Sequence, residues 1–363
     1  MCKANKKRNI GIDLLRMLSI YFIVILHILG HGGIIDHVER NTIAYAAIWL
    51  LEIIAYGAVN CFALISGYVS LYSKCNISNY LELWLRVFFY SVIIGLIVFL
   101  CYRQAISTSE FASCFFPVMT SKYWYFTAFS LLYIFEPILN RGIQNLEKTR
   151  CQIALVVLFA MVFISHFFSI IFKDVFFLKE GYSPLWLFIL YILGAYIRKY
   201  GFFKRIKTCV FLFLFFSFSF ITLGSKYLIQ LITSMIFGKV ILDSVFIGYT
   251  SVTIVAGSVF LFCFFERLEP SISIERIIRI ISPTVFSVYL IQDNFLIRKI
   301  FISDNFVWVF KFNTVTMIFV ILIIALSIYI ICTAIDFIRE QIFNLLKIKQ
   351  KLNYFEDKMT LDL

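Results

Sequence analysis

The stretch that decides the fold runs Asp13-Leu-Leu-Arg16-Met-Leu-Ser-Ile-Tyr-Phe-Ile-Val-Ile-Leu-His27-Ile-Leu-Gly-His31-Gly-Gly-Ile-Ile-Asp36. Most of it is apolar enough to lie in lipid, yet it carries an acid, a guanidinium and two imidazoles. On a helix turning ~100° per residue, Arg16 and His27 point within roughly 20° of each other. Asp13 and His31 fall on the same stripe, and the opposite face is Leu, Ile and Phe. An Arg at the centre of a bilayer costs at least about 2.5–3.5 kcal/mol, so such a stripe faces protein or a wet cavity and marks a functional site. A purely topological reading is available for Asp13 and Arg16, as side chains snorkelling at the membrane edge, and for His31, as a loop residue. His27, in mid-span, has no such explanation.

Composition agrees with a chain that lives in lipid. Of its 363 residues 61% are hydrophobic and only 15% charged, against about 25% charged in soluble domains. There is no long hydrophilic stretch and so no separate soluble domain. The net charge of +12 reflects basic loops on one side of a membrane, not a nucleic-acid partner. The first apolar stretch contains Asp13 and Arg16 and lacks a small-residue cleavage site, so it is expected to be a retained helix. Nine cysteines are scattered without CxxC or metal-ligand spacing, which predicts no disulfide framework and no metal site.

Windows of ~20 apolar residues predict spans at about 12–31, 43–70, 84–102, 123–140, 152–172, 184–199, 207–224, 243–265, 284–301 and 314–336. The fold class is therefore an all-α polytopic membrane helix bundle of about ten transmembrane helices. The apolar segment 227–238, flanked by Lys226 and Lys239, is short and reads as an interfacial or re-entrant piece. Loops on the side of the N-terminus, from Lys3, Lys6, Lys7 and Arg8 through Lys204 and Arg205 to Lys347, hold roughly twice the Lys and Arg of the other side. By the positive-inside rule both termini are cytoplasmic. The bundle is expected to span residues 1–340. Residues 341–363 form a basic amphipathic tail on the cytoplasmic leaflet, and membrane lipid is thus a partner.

Several polar residues lie inside the spans. Asn60, Ser66 and Gly67 offer small or hydrogen-bonding groups for close helix packing. Glu52 needs a partner, for which Arg16 or a His is available. Arg86 opens the third span from the cytoplasmic side, by snorkelling or to bind an anion. His166, near the outer end of the fifth, reads as a buried, hydrogen-bonded residue, and the Phe-rich run from Phe211 to Phe220 as lipid-facing bulk. No Gly-rich phosphate loop, G-x-S-x-G elbow or internal repeat is present. The missing repeat weakens a transporter built from inverted halves.

Five stretches, taken together, resemble the acyltransferase 3 family of integral membrane acyltransferases. They are Arg16 and His27 preceded by Asp13; Asn60-Cys-Phe-Ala-Leu-Ile-Ser66-Gly67-Tyr68; Tyr123-Trp124-Tyr125 running on to Glu136-Pro137-Ile-Leu-Asn140; Leu185-Trp186 through Tyr191, Gly194 and Tyr196 to Arg198; and Ser287-Val-Tyr289-Leu290-Ile291-Gln292-Asp293-Asn294. They cover nearly the whole chain in order and are most similar to the branch found in Gram-positive surface-polysaccharide clusters. Relatives commonly carry His where this chain has Gln292, which can hydrogen-bond but cannot serve as an acid or base. Many also carry two Arg after the second span, where only Arg86 matches.

The resemblance implies ten helices, a multi-pass protein of the cell membrane, and transfer of an acyl group to a sugar of the cell envelope. Acetyl-CoA is the implied donor, with a surface polysaccharide or its lipid-linked precursor as acceptor. Acyl transfer to a hydroxyl needs a base near neutral pKa and donors for the oxyanion. His27 is expected to be that base, with His31, one turn further, as the alternative base or acceptor-side partner. Arg16 is expected to bind or orient the acyl-CoA and Arg86 to meet its phosphates. Arg16 and His27 stand about 16 Å apart along the axis, so the thioester must reach His27 through a polar channel, or the acyl group must be relayed. The competing readings are a polysaccharide exporter or flippase without catalysis, and the unrelated membrane-bound O-acyltransferase fold with His166 as its catalytic residue. The spacing His31-x4-Asp36 also fits glycerol-phosphate acyltransferases, though none of their other context is present.

Overall fold

The computed structural model describes residues 8–169, 172–203 and 205–361, with side chains as far as 358. Lys3, Lys6 and Lys7, residues 170 and 171 of the fifth expected span, Lys204 and the last two residues of the tail lie outside the described residues. All regular structure among the described residues is helical.

Helix α1, Ile10–Leu29, starts where the Asn9 side chain accepts a hydrogen bond from the Ile12 N–H at 3.1 Å, a standard N-cap. Protein covers 61% of its apolar window, against 22% for the helices at 148–169 and 208–237. Thus α1 is the central element and those two are peripheral. The expected span 43–70 is also central, but it breaks at Gly57 into α2, Ile43–Tyr56, and α3, Ala58–Ser70. The Gly57 carbonyl accepts from Ser258 Oγ at 3.3 Å, which compensates the interruption.

Then follow α4, Ile77–Cys101; α5, Trp124–Asn145; α6, Lys148–Ser169; and α7, Pro184–Tyr200. Helices α3 and α7 meet backbone to backbone. A Cβ on Gly67 would lie 1.9 Å from the Tyr191 carbonyl oxygen, and one on Gly194 would lie 2.1 Å from that of Leu64. This is the close approach that small residues permit between helices in lipid, where association rests on packing more than on the hydrophobic effect.

Helix α8, Thr208–Phe237, corrects the sequence reading of 227–238 as a separate piece. Lys226 does not end the helix, because it is buried and paired: its Nζ lies 2.8 Å from Asp243 and 3.6 Å from the centre of the Trp49 ring. The Phe-rich run on α8 is likewise two-sided. Phe213, Phe216 and Phe220 are exposed, whereas Phe211 and Phe215 are buried.

Helix α9, Val252–Glu266, is shorter than the expected 243–265, since 243–251 is a turn-rich segment that carries Asp243 back to Lys226. Helix α10, Ile272–Ile281, exposes Ile272, Ile274, Ile277 and Ile280 beside Arg276 and Arg279, the pattern of a helix lying in an interface. The expected span 284–301 is discontinuous: α11, Val285–Gln292, stops at Asp293 and Asn294, and a short helical turn at Phe295–Ile297 runs into a π-helical one at Arg298–Ile302. Helix α12, Thr314–Leu345, runs past the expected end at 336. After a break at 346–347, α13, Ile348–Leu361, packs on α4. There Glu356 accepts from the Ile77 and Ser78 N–H groups at 2.9 and 3.4 Å, and Lys349 lies 3.6 Å from Glu82.

Among the described residues six helical segments are long and apolar enough to cross a membrane: Ile10–Leu29, Ile43–Ser70, Ile77–Cys101, Lys148–Ser169, Thr208–Phe237 and Thr314–Leu345. The other expected spans correspond to α5, α7, α9 and the broken α11 region, which are shorter or more polar. Such segments are tolerated at membrane depth where protein surrounds them, as it does the buried Trp186, Leu187, Leu190 and Tyr191 of α7.

Candidate active site

The polar stripe of α1 lines a cavity of about 620 Å³ enclosed by α1, α2, α3, α4, α5 and α11. Arg16, His27, His31 and Arg86 all border it, together with Glu52, Tyr125, Tyr289, Asp293 and Arg298. All four residues singled out in the sequence therefore meet on one void, and the stripe faces protein and cavity, not lipid.

At one end Asp13, buried at the N-terminus of α1, accepts from Arg8 and from Arg16 Nη1, the latter at 3.1 Å. An acid in the first turn also meets the positive end of the helix dipole. Arg8 further donates to Ser282 Oγ at 2.9 Å, which ties α1 to the start of α11. Arg86 donates to the Pro283 carbonyl at 3.2 Å and lies 3.6 Å from Glu82, while its Nε has no partner. Two guanidinium groups thus border the same end, one with an N–H still free.

The imidazoles lie further along α1. His27 Nδ1 is 2.7 Å from Gln292 Oε1. With that oxygen as acceptor, Nδ1 carries the proton and Nε2 keeps its lone pair. Nε2 sits 3.7 Å from Asp293 Oδ1, so a proton gained there is met by a carboxylate. His31 lies just past the end of α1, yet its ring centre is only 5.2 Å from that of His27. Burial, His27 and the Arg298 guanidinium push the His31 imidazole down to about 4, so it is neutral at physiological pH. Arg298 Nη1 is 3.3 Å from Asp293 and 3.4 Å from His31 Nε2.

His27, His31 and Asp293 present ligand atoms within 4.8 Å of one another, a grouping with the reach to hold a metal ion. The Arg298 guanidinium already supplies positive charge to two of the three, which disfavours a cation there. The set is better suited to moving a proton between nitrogen and carboxylate.

The sequence reading singles out neither Asp293, which it quotes only within a motif, nor Arg298, and the fold brings both beside His27 and His31. An acid directly after Gln292, at the end of an apolar run, was the available signal. Glu52 was expected to pair with Arg16 or a His; its Oε2 has no hydrogen-bond partner, and no ion pair to it exists among the described residues. His166 does not border the cavity. Its nitrogens lie 2.9 Å from Thr250 Oγ1 and 2.7 Å from the Val245 carbonyl oxygen, which satisfies the ring as a structural tie.

Fold and site together define a multi-pass membrane protein with a polar, histidine-bearing cavity inside an apolar bundle. A family model described as an acyltransferase domain matches residues 9–335. The chain belongs to that family, acyltransferase 3, and is by membership a membrane acyltransferase. No curated protein and no solved structure matches it.

Proposed function

We propose that the protein transfers an acyl group, acetyl in the first instance, from acyl-CoA to a hydroxyl of a surface polysaccharide or its lipid-linked precursor at the cell membrane. The observation that carries this reading is the His27 imidazole, held through Nδ1 by Gln292 with Nε2 turned toward Asp293, in the same cavity as Arg16 and Arg86.

His27 Nε2 takes the proton of the attacking hydroxyl, and Asp293 stabilises the imidazolium that forms. The hydroxyl oxygen attacks the thioester carbonyl, and the negative charge that develops needs donors already in place. The Tyr289 hydroxyl, buried on the cavity wall with no hydrogen-bond partner among the described residues, and Arg298 are placed to supply them. Collapse of the tetrahedral intermediate expels the CoA thiolate, which takes the proton back from His27. Arg16 and Arg86 draw the anionic donor into the other end, which the charge bias of the loops puts at the cytoplasm. The cavity continues from there to His27, so the thioester end can reach the base along it without a relay.

The test compares a deletion strain with strains complemented by the wild type or by His27→Ala. Loss of ester-linked acetyl from the surface glycan, with normal polymer amount, is expected in both the deletion and the His27→Ala strain. Acetylation retained with His27→Ala removes His27 from its role. Loss of the polymer itself points to export instead of acyl transfer.

A further inference from the structure

The second wall of the cavity is aromatic and acidic. Tyr56 on α2, Trp124 at the start of α5, Tyr182 just before α7 and Tyr249 just before α9 all border it. Their rings form one connected cluster, with centres 4.9 Å apart for Tyr56 and Tyr249, 5.1 Å for Tyr182 and Tyr249, and 4.6 Å for Trp124 and Tyr182. The cluster is anchored from behind. Asn60 donates to the Tyr249 carbonyl at 2.9 Å and accepts from Trp186 Nε1 at 3.0 Å, both inside the protein. In the same wall stands Glu52, only 7% exposed, with Oε2 unpartnered and no ion pair to it among the described residues.

A buried carboxyl group without a partner is expensive. Aromatic faces are electron-rich and favour the slightly positive C–H faces of a pyranose. A carboxyl group exchanges hydrogen bonds with the sugar's hydroxyls.

We infer that Glu52 and the ring wall of Tyr56, Trp124, Tyr182 and Tyr249 form the subsite that holds the acceptor's glycosyl ring and presents its hydroxyl to His27. This inference rests on the acyl-transfer reading for its orientation, but binding itself does not require turnover. Glu52 is a specificity-determining residue here, not a catalytic one.

The test measures binding of methyl glycosides of glucose, galactose and mannose, and of N-acetylglucosamine, to the full-length protein in nanodiscs by saturation-transfer NMR, with choline as a cationic control. At least one glycoside is expected to bind the wild type. Its binding should weaken roughly 2- to 10-fold in Glu52→Gln, which removes one hydrogen-bonding oxygen, and in Tyr182→Ala, while acetyl-CoA binding stays unchanged. Tyr182 lies outside the helices and is 44% exposed, so its truncation tests the wall even if Glu52→Gln folds poorly. Glycoside binding that is absent, or equal in wild type and variants, overturns the inference, as does binding of choline in preference to every sugar. Acyl transfer that survives His27→Ala defeats the catalytic assignment separately and leaves the binding result standing.

Discussion

Gln292 Oε1 lies 2.7 Å from His27 Nδ1 and 265 residues away along the chain. The contact fixes which nitrogen faces the cavity. Gln292→Leu keeps the bulk but releases the ring, so kcat should fall on the order of 10- to 100-fold through misplacement of the base. KM for acyl-CoA should not move. Gln292→His, which restores a ring hydrogen-bonding partner, should recover part of the loss. Steady-state kinetics on protein in nanodiscs checks both, and an unchanged kcat in Gln292→Leu would show that the ring needs no such support.

Arg16 is held by Asp13 at 3.1 Å and borders the cavity. Arg16→Ala should raise KM for acyl-CoA by roughly 10- to 100-fold, the worth of a charge-assisted hydrogen bond or two. Arg16→Lys should recover little, because an ammonium cannot reproduce the planar fork. A fall in kcat with unchanged acyl-CoA affinity would argue for a transition-state role instead.

His31 titrates at about 4 in the folded protein and near 6.5 when unfolded. Between those values the unfolded chain binds a proton that the folded chain does not. Stability through this group therefore rises with pH across the window and is lost as pH falls through it. Thermal midpoints in detergent should drop more steeply from pH 7 to pH 4.5 for the wild type than for His31→Gln. Parallel pH dependences would show that His31 is not held neutral.

Gly67 meets the backbone of α7 with no room for a Cβ. Gly67→Ala should abolish the monodisperse peak of the purified protein. Gly142→Ala, where an added Cβ meets nothing within 4 Å, should leave it intact. Equal behaviour of the two would mean that the α3–α7 contact can open at little cost.

The sequence exposed the parts of this molecule that obey a local period. Arg16 and His27 share a face because of helical spacing alone, and Ser66-Gly67 announced a close helix contact by residue size. What stayed hidden depends on partners distant in the chain. Lys226 looked like the end of an apolar segment because its neutralisation by Asp243 crosses a helix end and a turn. Asp293 gains its meaning only from a helix that stops one residue earlier and so delivers the carboxylate to His27. Glu52 showed the reverse: an acid inside an apolar span needs a partner, and the fold left it facing the cavity with no ion pair among the described residues.

The cap that Glu356 places on α4 has a consequence for assembly. The two partners are 279 residues apart, so α4, which carries Arg86, enters the bilayer well before its cap has been translated. Until residue 356 emerges, the first N–H groups of that helix rely on water or headgroups. Completion of the α4 N-terminus is therefore a late event in biogenesis.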